Sequence, residues 1–529
     1  MSKELLSRPA LFFLHNLKVK AVLQATNAGA AAAVCQKLPP PPSRLGQRNG
    51  DSGSGNSLVT RYLPWMSTTT TMTSWNNSSA GRVQQDVVFN SQSKRRFSSS
   101  IQRMSSEAAT ITSAKASTTG QDAKPKVIVT DKAVGYWLLG SSALVFGIVI
   151  IGGLTRLTES GLSITEWKPV AGMLPPLTEQ DWQAEFNKYQ SSPEYKLLNS
   201  HMSLQEFKFI FFMEWSHRLW GRLIGLTFVI PGAYFILRGR TSTRVTKRIW
   251  AIAGLIGLQG FIGWWMVKSG LSGKFLDDST LQDGKFRDNH PRVSQYRLAT
   301  HLGAAFVAYL AMLWTGVEIL REHRWVRQDP KTADATIKLL SNPALRRYRV
   351  LARSLLGLVF LTAMSGAFVA GLDAGLIYNQ FPYMGETIVP PVSELFSTFY
   401  TRNENDSDLI WRNLLENPTT VQFNHRVLAV TTFTAVVLLH VYATRLYGRG
   451  LLPRAVFKAS HGTIGFASLQ VALGISTLLY LVPVPLAAAH QAGSLALLTY
   501  VLLLCSRLKL PRQSMQRLIQ AALRNQQRI

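Results

Sequence analysis

The chain has 529 residues, a formal charge of +28 and 47% hydrophobic residues. Strong positive charge interleaved with long apolar runs points to a membrane protein whose basic residues lie in loops. No periodic basic and aromatic face occurs, which argues against a nucleic-acid partner. The cysteines, Cys35 and Cys505, fall in a targeting segment and an apolar run, which excludes a disulfide framework or thiolate metal cluster.

Residues 1–97 read as a mitochondrial presequence. They hold twelve Lys/Arg against Glu4, Asp51 and Asp86, and are rich in Ser, Thr, Asn and Gly. That basic, acid-poor composition marks an organelle transit peptide. The run Arg95-Arg96-Phe97-Ser98 resembles a mitochondrial processing site with cleavage after Phe97; the alternative is a basic tail that stays attached. Residues 98–130 stay polar and read as a disordered matrix arm.

Eight apolar runs follow, near 134–154, 219–237, 249–267, 299–320, 351–371, 427–444, 460–481 and 486–505. Each approaches the about twenty residues that cross a bilayer. The predicted fold is all-α: a polytopic membrane protein with eight transmembrane helices, arranged as two pseudo-symmetric four-helix bundles. The halves are 131–320 and 351–505, joined by a matrix linker, 321–350, and followed by a basic matrix tail, 506–529. The loop after the second span carries Arg238, Arg240, Arg244, Lys247 and Arg248 without an acid, and the loop after the sixth carries Arg445, Arg449, Arg454 and Lys458. With eight crossings these loops and the tail share one side. The positive-inside rule makes it the matrix, with both termini there.

The halves repeat. Gly152 and Glu159-Ser160-Gly161-Leu162 match Gly366 and Asp373-Ala374-Gly375-Leu376 at an offset of 214. His217-Arg218 matches His425-Arg426 at 208, Gln259 and Gly263 match Gln470 and Gly474 at 211, and His301 matches His490 at 189. An even number of crossings per half makes the repeats parallel. His217, His301, His425 and His490 then open spans two, four, six and eight, all toward the intermembrane-space side. Two facing imidazoles per half suit axial ligation of a haem iron, giving two haem sites. The bland reading of any one histidine is a satisfied polar residue between helices. Bare zinc or copper is disfavoured, because no short ligand spacing and no thiolate accompanies them. His440, His461, His323, His290 and His15 fall at matrix ends, in loops or in the presequence and read as incidental. Gly221, Gly225 and Gly303 leave shallow faces near the ligands, suited to a flat cofactor or to plain helix packing.

One position separates the halves. Glu214 precedes His217 by three residues, whereas Gln422 precedes His425 by three. An ionisable group inside a membrane bundle is a functional candidate, and only the acid can carry a proton. The reacting haem is therefore assigned to the N-terminal half, with Glu214 as its catalytic group, and a resident electron-transfer haem b to the C-terminal half. The alternative is that Glu214 pairs with Arg218 or Arg222. Arg218 and Arg426 are candidates for binding haem propionates, or else interfacial anchors.

The run Gly152-Gly153-Leu154-Thr155-Arg156-Leu157-Thr158-Glu159-Ser160-Gly161-Leu162-Ser163, with Glu166-Trp167-Lys168-Pro169 and Gly172-Met173-Leu174-Pro175-Pro176, resembles haem A synthase. Glu214-Trp215-Ser216-His217-Arg218, Asn379-Gln380-Phe381-Pro382 and Asn424-His425-Arg426 carry the same likeness. The resemblance extends from the first span to the eighth, and the presequence makes the chain similar to mitochondrial members. Some bacterial members have a cysteine pair in the first outer loop; this chain has none. The likeness implies oxidation of a porphyrin methyl of haem O to the formyl group of haem A, by two hydroxylations and loss of water. It implies the four histidines as ligands and Glu214 as the acid near the substrate. It also implies haem O supplied by haem O synthase, electrons from a ferredoxin and its reductase, delivery to cytochrome c oxidase and its assembly factors, and a homo-oligomer. Two other classes stay open: a dihaem b-type transmembrane electron carrier, and a haem transporter or chaperone.

Overall fold

The computed structural model describes residues 130–168, 171–272, 291–403 and 405–527. The expected presequence and, apart from Thr130, the expected matrix arm lie outside these residues. Eight long helices carry the fold: α1 Lys132–Leu157, α2 Leu204–Leu237, α3 Thr243–Gly270, α4 Gln295–Arg327, α5 Leu345–Gly371, α6 Pro418–Gly448, α7 Arg454–Leu479 and α8 Val484–Leu508. All eight are long and apolar enough to cross a membrane. Among the described residues the only β-type pairing is an isolated bridge between Met384 and Thr387.

Local chemistry sets the helix ends. The Asp131 side chain accepts from Ala133 N–H to start α1, and Asn417 accepts from Thr419 N–H, with Pro418 opening α6. α2 starts well before the predicted 219. A capping box pairs Ser203 with Glu206, and Phe207, Ile210 and Phe211 bury against Phe186 and Tyr189 of the outer-loop helix Glu179–Gln190. This first stretch is held by loop aromatics, so a hydropathy window misses it. His217 consequently sits inside α2 rather than at its start.

α1 and α3 each pack on both α2 and α4, closing a ring of four helices. α5 and α7 each pack on both α6 and α8, closing a second. α1 meets α8, α4 meets α5, and α4 meets α8. One apolar cluster runs through both rings, including Leu138, Phe228, Phe306, Met312, Tyr348 and Leu498. Lipid is as apolar as these side chains, so close fit and hydrogen bonds hold such a bundle together. Tyr309 and Thr499 hydroxyls meet at 2.6 Å between α4 and α8, and Gln491 Nε2 donates to Val149 O at 2.8 Å between α8 and α1. The matched positions Glu159 and Asp373, just past α1 and α5, both adopt left-handed φ, 53° and 52°. Segment 321–350 is largely helical: α4 runs on to Arg327 and a helix Pro330–Ser341 follows, packed against a C-terminal helix Gln513–Gln527.

An ionic knot ties α3, α4 and the end of α8. Glu318 takes Arg248 at 2.5 Å, Lys509 at 2.7 Å and Arg244 at 3.7 Å, while Arg321 donates to the carbonyls of Ser506 and Lys509. Glu318→Gln leaves Arg248 and Lys509 without their counter-charge. The cations are partly exposed, so the substitution is expected to cost about 1 kcal/mol, read as a lowered thermal-unfolding midpoint in detergent with unchanged haem content.

Candidate functional site

Each of the four histidines packs against a glycine near the C-terminal end of the preceding helix. A Cβ added at Gly152 of α1 would lie 2.9 Å from His217 Cε1, and one at Gly263 of α3 would lie 3.2 Å from His301 Cε1. In the second ring the figures are 3.2 Å for Gly366 against His425 and 2.8 Å for Gly474 against His490. Real Cβ atoms avoid the two shorter distances, so glycine is required against His217 and His490 as they sit, whereas at Gly263 and Gly366 a Cβ would need its imidazole to shift by a few tenths of an ångström. The pairs Gly152/Gly366 and Gly263/Gly474 stand in the sequence as repeat matches, yet their role against the histidines is not legible there. Gly225 has nothing within 4 Å of an added Cβ, and Gly303 faces Met364 of α5. Gly303 thus serves contact between the rings rather than a ligand face.

The imidazoles are half-buried, and their enclosed edges are defined. Nδ1 of His217, His301 and His490 is buried without a hydrogen-bond partner, while Nδ1 of His425 meets Ser365 Oγ at 2.7 Å. Cε1 lies against the glycine, and Nε2 is absent from the buried unpaired atoms, which leaves it as the nitrogen available for a ligand. Gln259 Nε2 donates to His301 O at 3.0 Å, and Gln470 Nε2 donates to His490 O at 2.8 Å. These matched glutamines tie α3 to α4 and α7 to α8 at the histidine level. His217 and His301 are carried by helices of the first ring, and His425 and His490 by helices of the second. The pairs come from α2 with α4 and α6 with α8, helices that stand across their rings from one another. Two imidazoles presenting Nε2 across a helix ring fit axial ligation of a porphyrin iron. Among the described residues no group of three or more His, Cys, Asp or Glu converges, so the available donor set is paired imidazole.

Glu214 lies one turn from His217 and is 3% exposed. Its Oε2 accepts from Ser163 Oγ at 2.7 Å and Ile164 N–H at 2.8 Å. Its Oε1 accepts from Arg218 Nη2 at 2.6 Å and Nε at 3.1 Å. Arg218 also donates to Ile164 O at 3.0 Å and Glu166 O at 3.2 Å. Gln422 and Arg426 reproduce this clamp with a neutral amide in place of the carboxylate. Gln422 Nε2 donates to Ala374 O at 2.8 Å, and Arg426 donates to Tyr378 O at 2.9 Å, Tyr383 O at 3.0 Å and Gln422 Oε1 at 3.2 Å. Both arginines therefore hold the loops that follow α1 and α5 through backbone carbonyls. Ser163 and Ile164 are far from Glu214 in sequence, and no motif spacing announces them. His440 and His461 meet edge to face at 4.7 Å, away from the ligand pairs, and His323 Nε2 contacts Thr130 O at 2.7 Å.

The family model described as Cytochrome oxidase assembly protein matches residues 135–502, from α1 into α8. The match contains all four histidines, their four glycines and the Glu214 clamp. The chain belongs to that family. Heme A synthase COX15 of Saccharomyces cerevisiae is 55% identical over 390 residues, covering 74% of this chain and 78% of the relative. The human Heme A synthase COX15 is 48% identical over 381 residues, covering 72% of this chain and 83% of the relative. A Schizosaccharomyces pombe relative named Heme A synthase-mitochondrial ferredoxin fusion protein is 50% identical over 383 residues, covering 72% of this chain and 60% of that protein.

Proposed function

We propose that the chain is a haem A synthase, an oxidoreductase of the mitochondrial inner membrane that converts a methyl group of haem O to the formyl group of haem A. The observation that supports this reading is the contact of a glycine with an imidazole, made twice in each ring, in a chain from this family. His217 and His301 hold the substrate haem; His425 and His490 hold a resident haem b, which supplies one-electron transfer when bound. A ferredoxin is the electron donor, a reading supported by the fused ferredoxin named in the relative from Schizosaccharomyces pombe. The basic loops and both termini face the matrix, and the histidines lie toward the intermembrane space. Homo-oligomerisation, haem O supply by haem O synthase and delivery of haem A to cytochrome oxidase assembly factors belong to the same proposal.

Glu214 acts at the rim of the substrate half. Both its oxygens already accept two donors, so its part is to hold negative charge one turn from His217 and to fix Arg218 and the loop at 163–166. Moving a proton through it would first break one of these bonds. Propionate binding by Arg218 or Arg426 would likewise compete with their loop carbonyls. Arg218→Leu strands a buried carboxylate and is expected to cost about 3 kcal/mol, with loss of haem A formation. Ser163→Ala removes one neutral donor and is expected to cost about 1 kcal/mol. Thermal unfolding and haem chromatography on both variants check the ranking. A plain dihaem carrier has no use for the Glu214/Gln422 difference; in that case wild type and Glu214→Gln alike leave haem O unconverted.

A further inference from the structure

The four histidine cradles differ at one place. The residue preceding the cradle glycine is Ile151 in α1, Ile262 in α3 and Leu473 in α7, but Ser365 in α5. Ser365 Oγ lies 2.7 Å from His425 Nδ1 and 2.7 Å from Thr362 O. A serine hydroxyl has one proton. Given to the Thr362 carbonyl, it leaves Oγ to accept from His425 Nδ1–H. That fixes the tautomer in which His425 Nε2 carries the lone pair. Nδ1 of His217 and of His301 is buried with no partner, and no side-chain hydroxyl meets Nδ1 of His490, which lies by the Gln470 backbone.

The geometry points to Ser365 as the positioning residue that makes the His425 site the tightly retained, low-potential haem site of the protein. This rests on the reading that His425 and His490 hold a haem. A hydrogen bond accepted from the distal N–H of a ligating imidazole raises its basicity and locks its orientation. A more basic ligand favours ferric iron, which lowers the reduction potential, and a locked ring retains the haem. His217 has no such partner and suits a haem that must enter as substrate and leave as product. Ser365 therefore marks in the C-terminal half the asymmetry that Glu214 marks in the N-terminal half.

The test uses the full-length protein purified with its haems. Spectroelectrochemical titration, low-temperature electron paramagnetic resonance and haem transfer to apomyoglobin are measured for wild type, Ser365→Ala, Ser365→Thr and His425→Ala. Ser365→Ala is expected to shift the reduced-to-oxidised ratio of one haem about tenfold toward reduced, or about 59 mV for one electron. The same haem should pass to apomyoglobin about tenfold faster, and Ser365→Thr should restore both properties. If Ser365→Ala does not fold, Ser365→Cys carries the test, with an intermediate potential expected. Wild-type potentials and retention in the alanine or cysteine variant overturn the assignment. His425→Ala separates the two levels: if it loses one haem while the Ser365 variants change nothing, only the role of Ser365 falls. If it loses no haem, the ligand reading beneath it falls as well.

Discussion

His217→Ala is expected to abolish haem A formation while leaving one haem bound with wild-type absorbance. The two histidine pairs belong to separate helix rings, α1–α4 and α5–α8, so removing a ligand from one ring leaves the other pair intact. His425→Ala should give the converse spectrum, with the resident haem lost, and should also stop haem A formation by cutting the electron supply. Loss of an axial ligand removes a coordinate bond outright, so the effect exceeds that of any neighbouring residue. The check is haem stoichiometry per protein, with extracted haems separated by chromatography. If His217→Ala and His425→Ala lose the same haem, the assignment of one pair to each ring is wrong.

The second large effect belongs to the glycines. An alanine Cβ at Gly474 or Gly152 would fall 2.8 or 2.9 Å from an imidazole carbon, against 3.2 Å at Gly263 and Gly366. Backbone flanked by packed helices yields little, so the imidazole must move. Overpacking of this kind costs about 1–3 kcal/mol, and a displacement near 1 Å at a reacting site costs about 100-fold in rate. Gly474→Ala and Gly152→Ala should therefore lose haem or activity more severely than Gly366→Ala and Gly263→Ala. Absorbance of bound haem per protein ranks the four, and an equal or inverted ranking would show that the cradles do not set ligand position.

The eight spans are legible in the sequence because a bilayer demands about twenty apolar residues in a row, and each predicted run lies within or very near an observed helix. The start of α2 is not, because Phe207, Ile210 and Phe211 are buried by outer-loop aromatics, a contact no window along the chain can see. The histidines stand out because two repeats place them at matched positions, and their pairing depends only on which helices share a ring. The glycines carry the same repeat signal, but a glycine in a membrane helix has many uses, and only the fold shows what it touches. Glu214 shows the limit most plainly. Its spacing to His217 and Arg218 is local and readable, whereas Ser163 and Ile164 reach it from a loop far back in the chain. The pairing of Glu214 with Arg218 is readable in the sequence as an alternative and is present in the structure, whereas the engagement of its second oxygen is not readable there.

The most direct measurement is haem extraction from cells lacking their own haem A synthase. Wild-type chain and Glu214→Gln are expressed there with a ferredoxin, its reductase and haem O. The wild type should yield haem A together with a retained haem b, and folded, haem-loaded Glu214→Gln should accumulate haem O or a hydroxylated intermediate. A folded wild-type protein that binds two haems yet leaves haem O unchanged under these conditions would contradict the account.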